Sequence, residues 1–134
     1  MSLRLATATR NTSADAITGA IDTGGAGTIQ IRTGAQPTNV GDAAQGTLLG
    51  TLTFSATAFG AAVAGVATAN LITSDTSADA SGTAGHARIL NGSGSIHSDC
   101  TCGQGSGDID FDNAVIVAGG TIAISSMTIT VPIS

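Results

Sequence analysis

TAGHARIL (83–90), NGSG (91–94) and SIHSDCTC (95–102) are two strand-like runs on either side of a four-residue, Gly-rich loop, the sequence signature of a β-hairpin. Working outward, the same period-two signal recurs. TIQIRT (28–33) alternates Ile29 and Ile31 against Gln30 and Arg32, and TLLGTLTF (47–54) sets Leu48, Gly50, Leu52 and Phe54 on one face, with Leu49 as the exception. ATANLIT (67–73) and DIDFDN (108–113) also read as strands, and AVIVAGG (114–120) leads into the long alternating run TIAISSMTITVP (121–132). In that run Ile122 and Ile124 lie on one parity and Met127, Ile129 and Val131 on the other. The switch predicts a β-bulge at Ser125–Ser126. GAQPTNVGDAAQG (34–46), SDTSADASG (74–82) and GQGSG (103–107) are turn-rich loops, while ATAFGAAVAGV (56–66) fits a loop, a short helix or a strand connection. Seven or eight short strands separated by regular turn signals predict a mainly β domain, an antiparallel β-sandwich of jelly-roll-like type.

Only residues 5–22 carry a helical pattern. Ala14, Ile17, Ala20 and Ile21 fall on one face, and Gly24 and Gly25 end the run. One N-terminal α-helix packed on the β-domain is the expectation. No fixed-period repeat and no linker divides the chain, so residues 1–134 form one domain.

Composition narrows the function. The chain has no Lys, Glu, Tyr or Trp; its nine acids are all Asp, and its bases are Arg4, Arg10, Arg32 and Arg88. Ala, Gly, Thr and Ser fill more than half of the 134 positions. Acid–base and nucleophilic catalysis need titratable groups held together, and that stock is close to minimal here. A net charge of −5 with four scattered Arg leaves no basic patch, and three Phe supply no stacking platform, so nucleic acid is not an expected partner. MSLRLATATR has no apolar secretory core, and Ala56–Ala69 is well short of a membrane span. The expectation is a soluble protein made and used without export and with no membrane partner. With few large side chains the core is thin, which predicts that partners contribute to stability.

The remaining motifs have ordinary explanations. Asp108, Asp110 and Asp112 at spacing two resemble the start of a calcium loop, but positions six and twelve of that loop are Asn113 and Gly119. Alternation with Ile109 and Phe111 favours a strand edge instead. His86, His97, Cys100 and Cys102 do not have the spacing of a closed four-ligand zinc site. Cys100 and Cys102 share a strand face about 6–7 Å apart, too far for an unstrained disulfide, and are expected as free thiols. No nucleophile elbow and no phosphate loop is present. The expectation is no catalytic residue, no cofactor and no metal. With no Lys, the Arg residues are the cations suited to interface pairing.

LRLATATRNTSADAITGAID (3–22), GTLLGTLTFSATAFGAAVAGVATANLITSDTSADASGTAGHARIL (46–90) and GSGDIDFDNAVIVAGGTIAISSMTITVP (105–132) together resemble a group of small structural proteins of tailed bacteriophages and prophages. Some proteins of this size and composition are capsid decoration, or cement, proteins. The resemblance implies a virion protein, made in the host cytoplasm, that binds the outer surface of the head shell. Its partners would be the major capsid protein and copies of itself, as a dimer or trimer. Arg4, Arg10, Arg32, Phe59 and Val63 are the expected contact residues. A receptor- or carbohydrate-binding module of a tail or fibre, or a tail-tube or connector subunit, are the alternatives; the first would normally show exposed Tyr or Trp.

Overall fold

The computed structural model describes residues 3–103, 109–111 and 113–132. Alternation becomes strand where the sequence shows it. β1 (Thr28–Thr33) buries Ile29 and Ile31 completely, and β2 (Leu48–Thr53) pairs with it antiparallel. The odd position of Leu49 has a local cause. Ile31 pairs with Gly50 and Arg32 with Leu48, so Leu49 is the extra residue of a bulge that turns its side chain into the core. β3 (Val66–Thr68) is shorter than the expected 67–73 strand; beyond it Ala69 and Thr73 make only isolated bridges.

The opening hairpin is β4 (Gly82–Leu90) with β5 (Ile96–Gly103). The Asn91 side-chain carbonyl accepts the N–H groups of Ser93 and Ser95 at 3.0 Å each and holds the connection closed. β6 (Ile109–Phe111), β7 (Val115–Ile116) and β8 (Ile124–Thr130) follow. The bulge expected at Ser125–Ser126 is present: Asp110 pairs with Ser126 but Phe111 with Ile124, which makes Ser125 the extra residue in the register.

Strands run in the order β2-β1-β4-β5-β6-β8-β3, with β7 against the start of β4. All pairs are antiparallel except β5–β6, which is parallel. The chain is mainly β with one N-terminal helix, as expected, and the pairings do not establish the finer jelly-roll expectation. Segment 73–75 ties the two ends of the path together. Thr53 and Thr73 exchange backbone hydrogen bonds, as do Asp75 and Ile122, and the Asp75 carboxylate accepts the Thr51 N–H at 2.9 Å. Inside the curled sheet lie Phe54, Ile21, Ile29, Ile31, Leu52, Ile89, Ile109 and Ile122.

Helix α1 (Thr7–Gly19) and a 3-10 turn over Ala20–Asp22 replace the continuous 5–22 helix. Gly24 and Gly25, at φ +84° and +123°, take the chain out of the helix through conformations that β-carbons disfavour. The buried face is not the one that apolar spacing implies. Ala14, Thr18 and Ile21 are buried, whereas Ile17 is 42% exposed and Ala20 is exposed. The reason is that α1 turns polar side chains, not only apolar ones, toward the rest of the protein.

Candidate interaction surface

Asn11, Asp15, Thr18 and Asp22 repeat at helical spacing and form a stripe along α1 and its 3-10 extension. Opposite them runs the irregular segment 56–66, whose backbone N–H groups lack a strand partner at several points. The helix supplies the acceptors. The Asp22 carboxylate accepts the Ala58 N–H at 2.9 Å, Asp15 that of Ala62 at 2.8 Å, and the Asn11 amide oxygen that of Gly65 at 2.8 Å. Backbone polar groups removed from water need such partners, and here side chains replace a β-ladder.

The tip of this segment is a two-residue hairpin. Val63 and Val66 exchange both backbone hydrogen bonds at 2.9 Å, with Ala64 at φ +53° and Gly65 at φ +79° between them. Two successive positive φ values are those of a type I′ turn. Arg10 braces it by donating from Nη1 to the Ala64 carbonyl at 3.0 Å and from Nη2 to Thr7 Oγ1 at 3.4 Å, while its Nε is buried with no hydrogen-bond partner.

The expected contact residues therefore have different fates. Arg4 is exposed on the arm preceding α1, beside Leu3 at 61% exposure. Val63 is 73% exposed at the turn that the first part of α1 braces. Arg10 is a brace for that turn rather than a solvated charge. Phe59 does not belong on a contact surface: it is 5% exposed and packs on Phe54 with ring centroids 5.8 Å apart. Burying one of only three aromatics in a core poor in large side chains outweighs displaying it. Arg32 lies on β1, away from this region, donating to Gln30 Oε1 at 3.2 Å and to the Gly46 carbonyl at 3.5 Å. The structure thus joins Arg10 to the Val63 turn, leaves Arg4 exposed on the arm before α1, and places Arg32 and Phe59 elsewhere.

Arg88, the fourth base, is the residue whose role the sequence conceals. It is 4% exposed, and its Nε and Nη2 reach the two Asp99 carboxylate oxygens at 2.7 and 2.9 Å. Nη1 and Nη2 also donate to the carbonyls of Asp42 and Val40, at 2.9 and 3.3 Å. The hydrogen bonds that Arg88 donates to the Asp99 carboxylate are the main reason that it is held above its already high ordinary pKa. A regular four-residue loop would have set Arg88 opposite His97. The connection closes at Leu90–Ile96, one residue later than such a loop, and the bulge that then pairs Ile89 with Ser98 adds a second, so Asp99 takes that place. His86, 1% exposed, donates from Nδ1 to the Gly34 carbonyl at 3.0 Å. His86 and Arg88 thus strap the 34–46 loop over the outer face of the sheet.

His86 and His97 do not meet across the hairpin; His86 pairs with Thr101 instead. His97 donates from Nε2 to the Ile17 carbonyl at 2.8 Å and satisfies an acceptor near the end of α1. Cys100 and Cys102 are in no disulfide, and burial pushes the Cys102 thiol up to about 11. Asp108 and Asp112 lie outside the described residues, as does the side chain of Asp110, whose backbone is in β6. Among the described residues no group of three or more His, Cys, Asp or Glu is placed to hold a metal ion, and no helix is long and apolar enough to cross a membrane. Comparison of the chain with family models, with curated proteins and with solved structures finds no match.

Proposed function

We propose that this chain is a virion structural protein of a tailed phage or prophage, a decoration protein that binds the outside of the head shell and bridges neighbouring capsid subunits. The observation that carries the reading is the exposure of Leu3 and Arg4 on the arm that precedes α1, together with that of Val63 on the turn that Arg10 of α1 braces. These are exposed cationic and apolar groups on a protein of net charge −5. Such groups suit an acidic, partly apolar partner face, and the major capsid protein is the proposed partner. Binding only the expanded lattice would stabilise that state by the difference in affinity. No catalytic residue and no cofactor enters this reading.

The deciding measurement is copy number in purified virions, taken by quantitative mass spectrometry against the major capsid protein. A ratio of comparable order supports shell-wide decoration. A handful of copies moves the protein to a tail, fibre or connector, and absence from virions discards the reading. Arg4→Asp and Val63→Asp identify the surface: both are expected to abolish particle binding while leaving the melting temperature unchanged. Particle binding unaffected by both would remove these residues as the contact.

A further inference from the structure

Asn91-Gly92, at the start of the loop that joins β4 to β5, is the only Asn-Gly pair in the sequence; the other Asn residues precede Thr, Val, Leu or Ala. The carbonyl carbon of an Asn side chain is open to attack by the backbone nitrogen of the next residue, and a Gly there has no side chain to hinder the approach. Asn91 is therefore the residue of this chain whose side-chain amide is chemically least durable.

The fold restrains both reacting groups. Asn91 Oδ1 accepts the N–H groups of Ser93 and Ser95 at 3.0 Å each, which fixes the direction of the side-chain amide. Around it the turn is closed by Asn91 N–H to the Ser95 carbonyl and Gly94 N–H to the Asn91 carbonyl, both at 2.9 Å. The Gly92 N–H, which carries the nucleophilic nitrogen, donates to the Ile21 carbonyl at 3.3 Å. Backbone also lies directly on backbone here: a β-carbon on Gly92 would collide with the Gly25 main chain, and one on Gly24 with Ser93. While the 91–95 loop sits on the turn that follows α1, Gly92 has no room to swing toward Asn91 Cγ. Water is close by, because Ser93, Gly94 and Ser95 are exposed.

We propose that Asn91 is a modification site, closed in the docked fold, that reacts when the 91–95 loop lifts off the Thr23–Gly25 turn. Hydroxide then takes the Gly92 amide proton, and the nitrogen attacks Asn91 Cγ to close a five-membered succinimide. The Cγ–Nδ2 bond breaks, and Nδ2 leaves as ammonia with a proton from water. A second water adds to one of the two ring carbonyls and opens the ring to aspartate or isoaspartate. The products differ in fit. A carboxylate at position 91 still accepts from Ser93 and Ser95, whereas isoaspartate carries an extra methylene through the main chain, and the loop no longer closes on Gly25. Asp22, which holds the Ala58 N–H, borders that turn, so the isoaspartyl product loosens the end of α1. The site turns a passing opening of this end of the hairpin into a lasting covalent record. None of this rests on the capsid reading.

The full chain, the same chain in urea and a peptide of residues 86–96 are incubated side by side at mildly alkaline pH. Mass spectrometry of the digests follows the gain of one mass unit at Asn91, and enzymatic methylation of isoaspartate measures the isomer. Lifting is a local opening, so the native chain should convert at least about 10-fold more slowly than the peptide, and the chain in urea close to the peptide's rate. Removal of the Gly92 amide proton begins both succinimide closure and hydrogen exchange, so the exchange protection of that amide should match the slowing to within about 3-fold. The isoaspartyl product should melt below the wild type, and Asn91→Asp should melt with it. Native conversion as fast as the peptide's, no conversion in urea, a Gly92 protection outside that range, or an isoaspartyl product that melts with the wild type would each overturn the proposal.

Discussion

Removing one partner of the Arg88–Asp99 pair should cost far more than removing both. The two side chains are 5% and 2% exposed, and Arg88 makes four hydrogen bonds, two of them to a carboxylate. Asp99→Ala leaves a guanidinium in a dry setting with only the Val40 and Asp42 carbonyls, and Arg88→Met leaves a buried carboxylate unpaired. Breaking such a pair costs about 3–5 kcal/mol, a large share of the roughly 5–15 kcal/mol that holds a domain together. For a chain of this length that corresponds to a fall in melting temperature of about 10–20 °C. The Arg88→Met/Asp99→Leu double variant leaves no buried charge and should recover most of the loss. It does not restore the two carbonyl contacts, so the 34–46 loop should be cleaved faster in limited proteolysis than in the wild type. Urea and thermal melts of the three variants, followed by circular dichroism, measure the effect. Single variants that lose under about 1 kcal/mol, the worth of an exposed pair, would refute the reasoning. So would a double variant no more stable than the worse single. Because Arg88 is held above its already high ordinary value, its contribution is complete at every pH below that ordinary value and gives no slope near neutrality.

Ala64 holds φ +53° in the Val63–Val66 turn, where a β-carbon costs about 1 kcal/mol. Ala64→Gly should raise the melting temperature by a few degrees, and a fall would show that the turn is not type I′. The Cys102 thiol, raised from 9.0 to about 11 by burial, keeps its proton in the folded state where the unfolded chain has lost it. Its contribution is therefore complete below pH 9.0 and is lost as pH rises toward about 11, by at most about 2–3 kcal/mol. Urea melts across that range should show the decline in wild type and a shallower one in Cys102→Ala; identical slopes would remove Cys102 as the cause.

What was legible in the sequence was local. β1, the 83–102 hairpin and the bulge at Ser125 each announce themselves by alternation and its interruption within a dozen residues. Leu49, too, was visible as an exception, although only the pairing of Gly50 with Ile31 shows it to be a bulge. Interactions set by distant segments were hidden. Nothing near Ile17 says that the helix will present Asn11, Asp15 and Asp22 to a segment more than thirty residues away. Nothing near Phe59 says that Phe54 will be its neighbour in the core rather than along a strand. Arg88 opposite Asp99 depends on a two-residue shift at the hairpin, and a charged residue within a strand run otherwise reads as solvent-facing. For the contact surface, exposure of Arg4 and Val63 follows from their loop settings, whereas the brace made by Arg10 needs the fold.

The side-chain acceptors of α1 also carry a consequence for biosynthesis. The helix has an Ala at its N-cap with no side-chain cap, no acid in its first turn and no base in its last, so little holds it on its own. Among the described residues, the groups that complete it arrive later from the ribosome: segment 58–65, then His97, and then Val131, whose N–H fixes the Gly65 carbonyl. Helix α1 is thus ordered only after the segments that follow it have been made, and a translation product interrupted before them would display an unsettled helix to cellular proteases.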